Sequence, residues 1–136
     1  MIETFLGANI LETTTSPIER PRFMSPTLPI NGFILIDSAQ RLKDHPDTWA
    51  HPDHETLKRI EPGYFVKVGV THAELSGERF WGRVKERVGL DVVIQVDQDM
   101  LHSSEHGLCD KDIVVVEERS VFGIVDARGV TVWEAK

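Results

Sequence analysis

Tyr64-Phe65-Val66-Lys67-Val68-Gly69-Val70 sorts its side chains into two sets, Tyr64, Val66, Val68 and Val70 against Phe65, Lys67 and Gly69. A period of two is the mark of a pleated strand with one face in a core. The same alternation runs on through Phe80 and Val84 against Arg79, Trp81, Arg83 and Lys85. Leu90, Val92, Ile94 and Val96 then alternate with Asp91, Val93, Gln95 and Asp97. Shorter runs follow at Ile113 to Glu117, Val121 to Val125 and Val130 to Trp133. Asp126-Ala127-Arg128-Gly129 joins the last two, with a glycine where a tight turn calls for positive φ.

Five or six strands thus crowd into about 70 residues. No helix-length crossover separates them, which disfavours parallel βαβ winding and predicts antiparallel pairing. Strand edges left open would template aggregation, and curling the sheet hides them. The expected fold is α+β but mainly β, a small, strongly bent antiparallel sheet or partly open barrel carrying two short helices and an extended, proline-rich N-terminal arm.

The helices belong upstream. Phe33-Ile34-Leu35-Ile36 ends at Asp37, whose carboxylate can cap a helix from Ser38 to Lys43, with Gln40 three positions on and Pro46 as the stop. A second helix is predicted from Asp53 to Ile60, with Pro52 near its start and Pro62-Gly63 ending it. Neither is long enough to be stable alone, because nucleation is costly and few bonds follow. Residues 1–30 hold four of the seven prolines, Pro17, Pro21, Pro26 and Pro29, beside the run Thr13-Thr14-Thr15-Ser16. Proline blocks both helix continuation and ladder donation, so this segment reads as an arm and residues 31–136 as a single β-rich domain. Phe5, Leu6, Ile10, Leu11, Ile18, Phe23 and Met24 give the arm apolar side chains, through which it could join a second copy into a homo-oligomer.

With 136 residues, 40% of them hydrophobic, the chain supports one core. A formal net charge of −7 and a pI near 5.3 disfavour nucleic acid and anionic membranes as partners, since both demand a clustered positive field, and favour a basic protein. Cys109 is the single cysteine, so an intramolecular disulfide is impossible and a cytoplasmic home is expected. The first residues lack the positive region of an export signal, and no stretch approaches the roughly 20 apolar residues that span a bilayer.

His45-Pro-Asp-Thr-Trp49, Pro62-Gly-Tyr-Phe-Val-Lys67, Glu78-Arg-Phe-Trp81, Val96-Asp-Gln-Asp99 and Gly107-Leu-Cys-Asp-Lys-Asp-Ile113 together resemble a family of small bacterial domains of unknown function. The resemblance covers about residues 31 to 125. It implies that a proline-glycine turn launches one strand, a charged-aromatic pair marks the next, and a glycine-aspartate segment opens a later one. Gly82 after Trp81 and a longer histidine-containing loop before Gly107 depart from the pattern. The resemblance supplies no activity.

Candidate chemistry is sparse. In Asp97-Gln-Asp99-Met-Leu-His102-Ser-Ser-Glu-His106-Gly-Leu-Cys109, a helical turn from His102 to His106 would set both imidazoles on one face. Asp97, Asp99 or Cys109 could then complete a tetrahedral metal site, and a metal-activated water would make a small hydrolase. Gly107 and the polar cluster read more economically as a connecting loop. His45, His51 and His54, interleaved with Asp44, Asp47 and Asp53, read as turn and capping chemistry. Cys109 has no adjacent base, Ser103-Ser104 has no nucleophile elbow, and the glycines are scattered singly rather than gathered into a phosphate loop, so no cofactor is expected.

The segment from 78 to 87 is different. Alternation puts Arg79, Trp81, Arg83, Lys85 and Arg87 on one side, a basic stripe centred on an indole in an acidic protein. Such a stripe can hold an anion, an acidic peptide or a single strand of nucleic acid by stacking plus charge. Its bland counterpart is arginine stems packed along a covered tryptophan and paired with nearby carboxylates. The leading expectation is a non-enzymatic protein-binding module, of the kind inhibitors and immunity proteins exemplify, with Arg79, Trp81, Arg83 and Lys85 as contact residues. The alternatives are the metal-dependent hydrolase and single-strand binding through Trp81.

Overall fold

The structure is a computed structural model that describes residue 28 and residues 30–134. The expected arm, residues 1–30, lies almost wholly outside the described residues. In chain order the elements are β1 (Ile34–Leu35), α1 (Ser38–Asp44), α2 (His54–Leu57), β2 (Phe65–Thr71), β3 (Glu78–Val88), β4 (Asp91–Val96), α3 (Ser103–His106), β5 (Ile113–Glu117), a 3₁₀ turn (Glu118–Ser120), β6 (Gly123–Val125) and β7 (Thr131–Glu134). Among the described residues seven strands form one antiparallel sheet in the order β5-β4-β3-β2-β6-β7, with β1 also paired to β2.

Alternation does what the sequence predicts. Val66, Val68 and Val70 of β2 are fully buried, as are Val92, Ile94 and Val96 of β4, and Phe80, Val84, Val114, Val116 and Ile124 join them from the neighbouring strands. Phe33, Leu57, Ile60, Leu108 and Val121 close the core from the segments that cross it. The curvature has a geometric cause. In a flat sheet β5 and β6 would stand about 19 Å apart, four strand spacings of about 4.8 Å. Only residues 118–122 join them, and with Glu118–Ser120 coiled into a 3₁₀ turn the link reaches roughly 16 Å. The sheet has to curl for the chain to connect, which it does without closing into a barrel.

Both predicted caps form. Asp37 accepts from the Gln40 amide at 3.0 Å and Asp53 from the Thr56 amide at 2.8 Å. The second helix is shorter than expected, ending at Leu57 instead of Ile60. The Leu57 and Ile60 carbonyls turn to the Arg87 guanidinium, at 2.8 and 3.0 Å, in place of continuing the helix. A third helical turn stands where a plain loop was expected, Ser103–His106, ended by Gly107 at φ +81°. The strand read from Val121 begins at Gly123, because the Val121 amide bonds back to Glu118 and completes the 3₁₀ turn.

The basic stripe also needs correcting. Val84 faces Ile94, yet the next registered pair is Glu86 with Val93, so Lys85 is the extra residue of a β-bulge. One extra residue inverts the facing of all that follow. Arg87 now lies opposite the buried Val92 and turns inward, leaving the stripe, while Glu86 points out in its place.

Gly82 is bare for a packing reason. A Cβ there would sit 2.6 Å from Ile94 Cδ1, so the isoleucine fills the volume a larger residue would claim. Gly82→Val should cost about 2–3 kcal/mol through overpacking, read as a lower urea midpoint with unchanged slope. Gly82→Val combined with Ile94→Ala should recover part of that loss.

Candidate functional site

The loop after β4 does not gather its candidate ligands. His106 is fully buried, and both ring nitrogens are committed: Nδ1 accepts from the Leu108 amide at 3.0 Å, which leaves the proton on Nε2 to be donated to Glu78 Oε1 at 2.9 Å. Glu78 also accepts from the backbone amides of Leu101 at 2.7 Å and His102 at 2.9 Å. Burial works against the charged form of Glu78, yet the hydrogen bonds from His106, Leu101 and His102 hold its carboxyl below the ordinary carboxylate value. His102 turns away to Glu105 at 3.5 Å, and Asp97 faces Lys111 at 3.6 Å, while the Cys109 amide donates to Asp112 at 2.8 Å. Asp99 lies exposed beyond them. Among the described residues no group of three or more His, Cys, Asp or Glu side chains is arranged to hold a metal ion. The helical turn that would align two imidazoles is present, but its ends face opposite environments, and the cluster clamps the loop to β3.

A nucleophile-like pair that the sequence did not signal lies at α1. Ser38 Oγ accepts from Trp49 Nε1 at 3.0 Å and donates to His51 Nδ1 at 2.8 Å. Burial pushes the His51 imidazole below its ordinary value of 6.5, against the Asp37 charge and a bond to the Val121 backbone. Ser38 is nonetheless fully buried. A hydroxyl that no substrate reaches, already loaded by an indole N–H, is a strut that fixes the Trp49 ring. Asp37 completes the strut by pairing with Arg119 at 2.9 Å.

That ring opens the feature with the clearest chemistry, the solvent-facing side of β2, β3 and β6. Register places Phe65 opposite Arg83, Lys67 opposite Trp81, and Gly69 opposite Arg79, all directed away from the core. Each cation lies over a ring: Arg83 over Phe65 at 6.0 Å, Lys67 over Trp81 at 5.9 Å, and Arg79 over both Trp49 and Phe122 at 5.5 Å. Arg41 of α1 covers Trp49 at 5.1 Å. Trp49 and Phe122 meet edge to face, their centroids 5.5 Å apart. Gly123 makes room for this, because a Cβ there would sit 2.8 Å from Lys67 Cβ and 3.2 Å from Trp81 Cη2.

Of the contact residues expected from sequence, Arg79, Trp81 and Arg83 share this face and Lys85 stands exposed at the bulge. Lys67 and Phe65 were legible in the alternation of β2, though not singled out. Trp49, Arg41 and Phe122 carried no signal, since they arrive through the chain's path. None of Arg41, Lys67, Arg79 or Arg83 forms an ion pair among the described residues, although Arg87, Arg119 and Arg128 do. Between Trp49 and Lys67 the face dips into a groove of about 300 Å³, with Arg79 and Phe122 in its wall and Glu134 on its lining.

Among the described residues no helix is long and apolar enough to cross a membrane. The chain matches no protein-family model, no curated protein and no solved structure.

Proposed function

We propose that the chain is a non-enzymatic protein-binding module whose contact surface is the outer face of β2, β3 and β6, and that its partner presents an acidic segment there. One observation carries this reading. In a protein with 22 acidic residues, Arg79, Lys67, Arg83 and Arg41 have no carboxylate partner among the described residues, and each lies above an aromatic ring. Stacking orders these long side chains in advance, so less rotamer entropy is lost when an anion arrives. The surrounding negative charge confines attraction to that face and repels a polyanion that overhangs it.

A titration followed by tryptophan fluorescence tests the proposal, with a glutamate-rich peptide, a lysine-rich peptide and oligothymidylate each added to the full chain. The acidic peptide should saturate the signal, weaken as salt rises, and weaken again with Arg83→Gln. Saturation by the lysine-rich peptide alone would replace this partner with a basic one, as an inhibitor or immunity protein would have. Saturation by oligothymidylate with a steep salt dependence would move the assignment to single-stranded nucleic acid.

A further inference from the structure

We infer that the groove between Trp49 and Lys67 is an anchor pocket that accepts one carboxylate side chain of the bound segment and disfavours a phosphate. The inference rests on the reading of the surrounding face as a contact surface, and it names the group that the face selects.

Lys67 and Arg79 project from adjacent strands on the same side of the sheet, near enough along the ladder to address one ligand together. Both line the groove, and neither has a carboxylate partner among the described residues. Trp49 and Phe122 wall the same space, so an anion entering it exchanges part of its water for aromatic surface, where a guanidinium contact is stronger than in bulk solvent. Arg79, stacked on both rings, keeps its planar fork at the wall and can offer two parallel N–H donors. Thr48 adds a hydroxyl to the lining.

The selectivity comes from Glu134. Two cations and one carboxylate border the groove, a net of one positive charge. A glutamate or aspartate side chain brings one negative charge and balances it. A phosphoryl group brings about 1.5 to 2, and the excess faces Glu134. At about 300 Å³ the groove sits at the small end of ligand sites, suited to a side chain and not to a whole cofactor.

The test uses the full chain and three otherwise neutral peptides of one sequence whose central residue is glutamate, glutamine or phosphoserine, with binding followed on the Trp49 indole N–H resonance. The glutamate peptide should bind at least about tenfold tighter than the glutamine peptide, the scale of one charge-assisted pair, and no weaker than the phosphoserine peptide. Arg79→Gln and Lys67→Gln should each erase the preference for glutamate, Arg79→Lys should keep part of it, and Glu134→Gln should strengthen phosphoserine binding selectively. Arg128→Gln, outside both the groove and the contact face, should leave the preference intact. Equal binding of the glutamate and glutamine peptides, a phosphoserine preference in the unaltered chain, or a preference unmoved by Arg79→Gln and Lys67→Gln would each overturn the inference. Failure of the groove is distinguishable from failure of the face. A glutamate-rich peptide weakened by Arg83→Gln but not by Arg79→Gln keeps the face and removes the pocket. A single-glutamate peptide that shifts Trp49 while the glutamate-rich peptide does not bind keeps the pocket alone.

Discussion

Arg87→Ala is expected to lower stability by about 3–5 kcal/mol, although no feature of the candidate contact face would be touched. Arg87 Nη1 donates to the carbonyls of Leu57 and Ile60 at 2.8 and 3.0 Å, Nε donates to the Gly89 carbonyl at 3.2 Å, and Nη2 pairs with Glu118. One side chain therefore ties α2, the β3–β4 hairpin and the 3₁₀ turn to one another. Removing it strands the buried Glu118 carboxylate and takes a donor from three carbonyls, of which Leu57 keeps the Ile60 amide, so the uncompensated buried charge is the costlier loss. Urea unfolding gives the number. Removing both charges with Glu118→Gln in the same chain should cost less than the sum of the two single changes, and full additivity would show that the pair does not act as a unit. Arg87→Lys should recover little, since one ammonium cannot reach acceptors spread over three segments.

Glu78→Ala should have an effect of similar size, about 3–4 kcal/mol, because it leaves the buried His106 Nε2–H and the amides of Leu101 and His102 without their acceptor. Glu78→Gln offers a single acceptor oxygen and a donor where three donors converge, so it should recover only part of the loss. Acidity distinguishes a charge effect from lost packing. Hydrogen bonds hold the folded-state carboxyl of Glu78 below its ordinary value despite burial. The stabilisation is thus complete above the ordinary carboxylate range and disappears as pH falls through the lowered folded value. The gap in urea midpoint between the unaltered chain and Glu78→Gln should narrow on acidification from pH 7 toward pH 3. A constant gap would mean that the charge of Glu78 does not contribute. Amide exchange should also quicken across the loop from Asp97 to Asp112, which this clamp holds on the sheet.

These two residues also mark the limits of sequence reading. Arg87 looked like one more member of a basic stripe, since counting by twos from Arg79 reaches it. The single inserted residue at Lys85 reverses the count, and nothing in the local sequence marks the bulge, because lysine, glutamate and arginine suit either face of an edge segment equally well. In the sequence Glu78 is only the start of a charged-aromatic pair, and His106 only half of a ligand-spaced pair. Their partnership spans 28 positions and exists because α3 folds back over the start of β3. The contact face divides in the same way: Arg79, Trp81 and Arg83 follow from alternation, whereas Trp49 and Phe122 reach Arg79 only through the strut at Ser38 and the short return from β5.

Local patterning by itself settled the strands past Tyr64, their antiparallel pairing, the two aspartate caps and the burial of alternate valines, since these depend on side-chain period and on bonds between near neighbours. Folding in three dimensions alone settled which way Arg87 points, which histidine is buried, and which rings lie beneath which cations. Those outcomes turn on a bulge, a chain reversal and a connection too short for a flat sheet, and each is a property of distances between segments that the sequence keeps far apart.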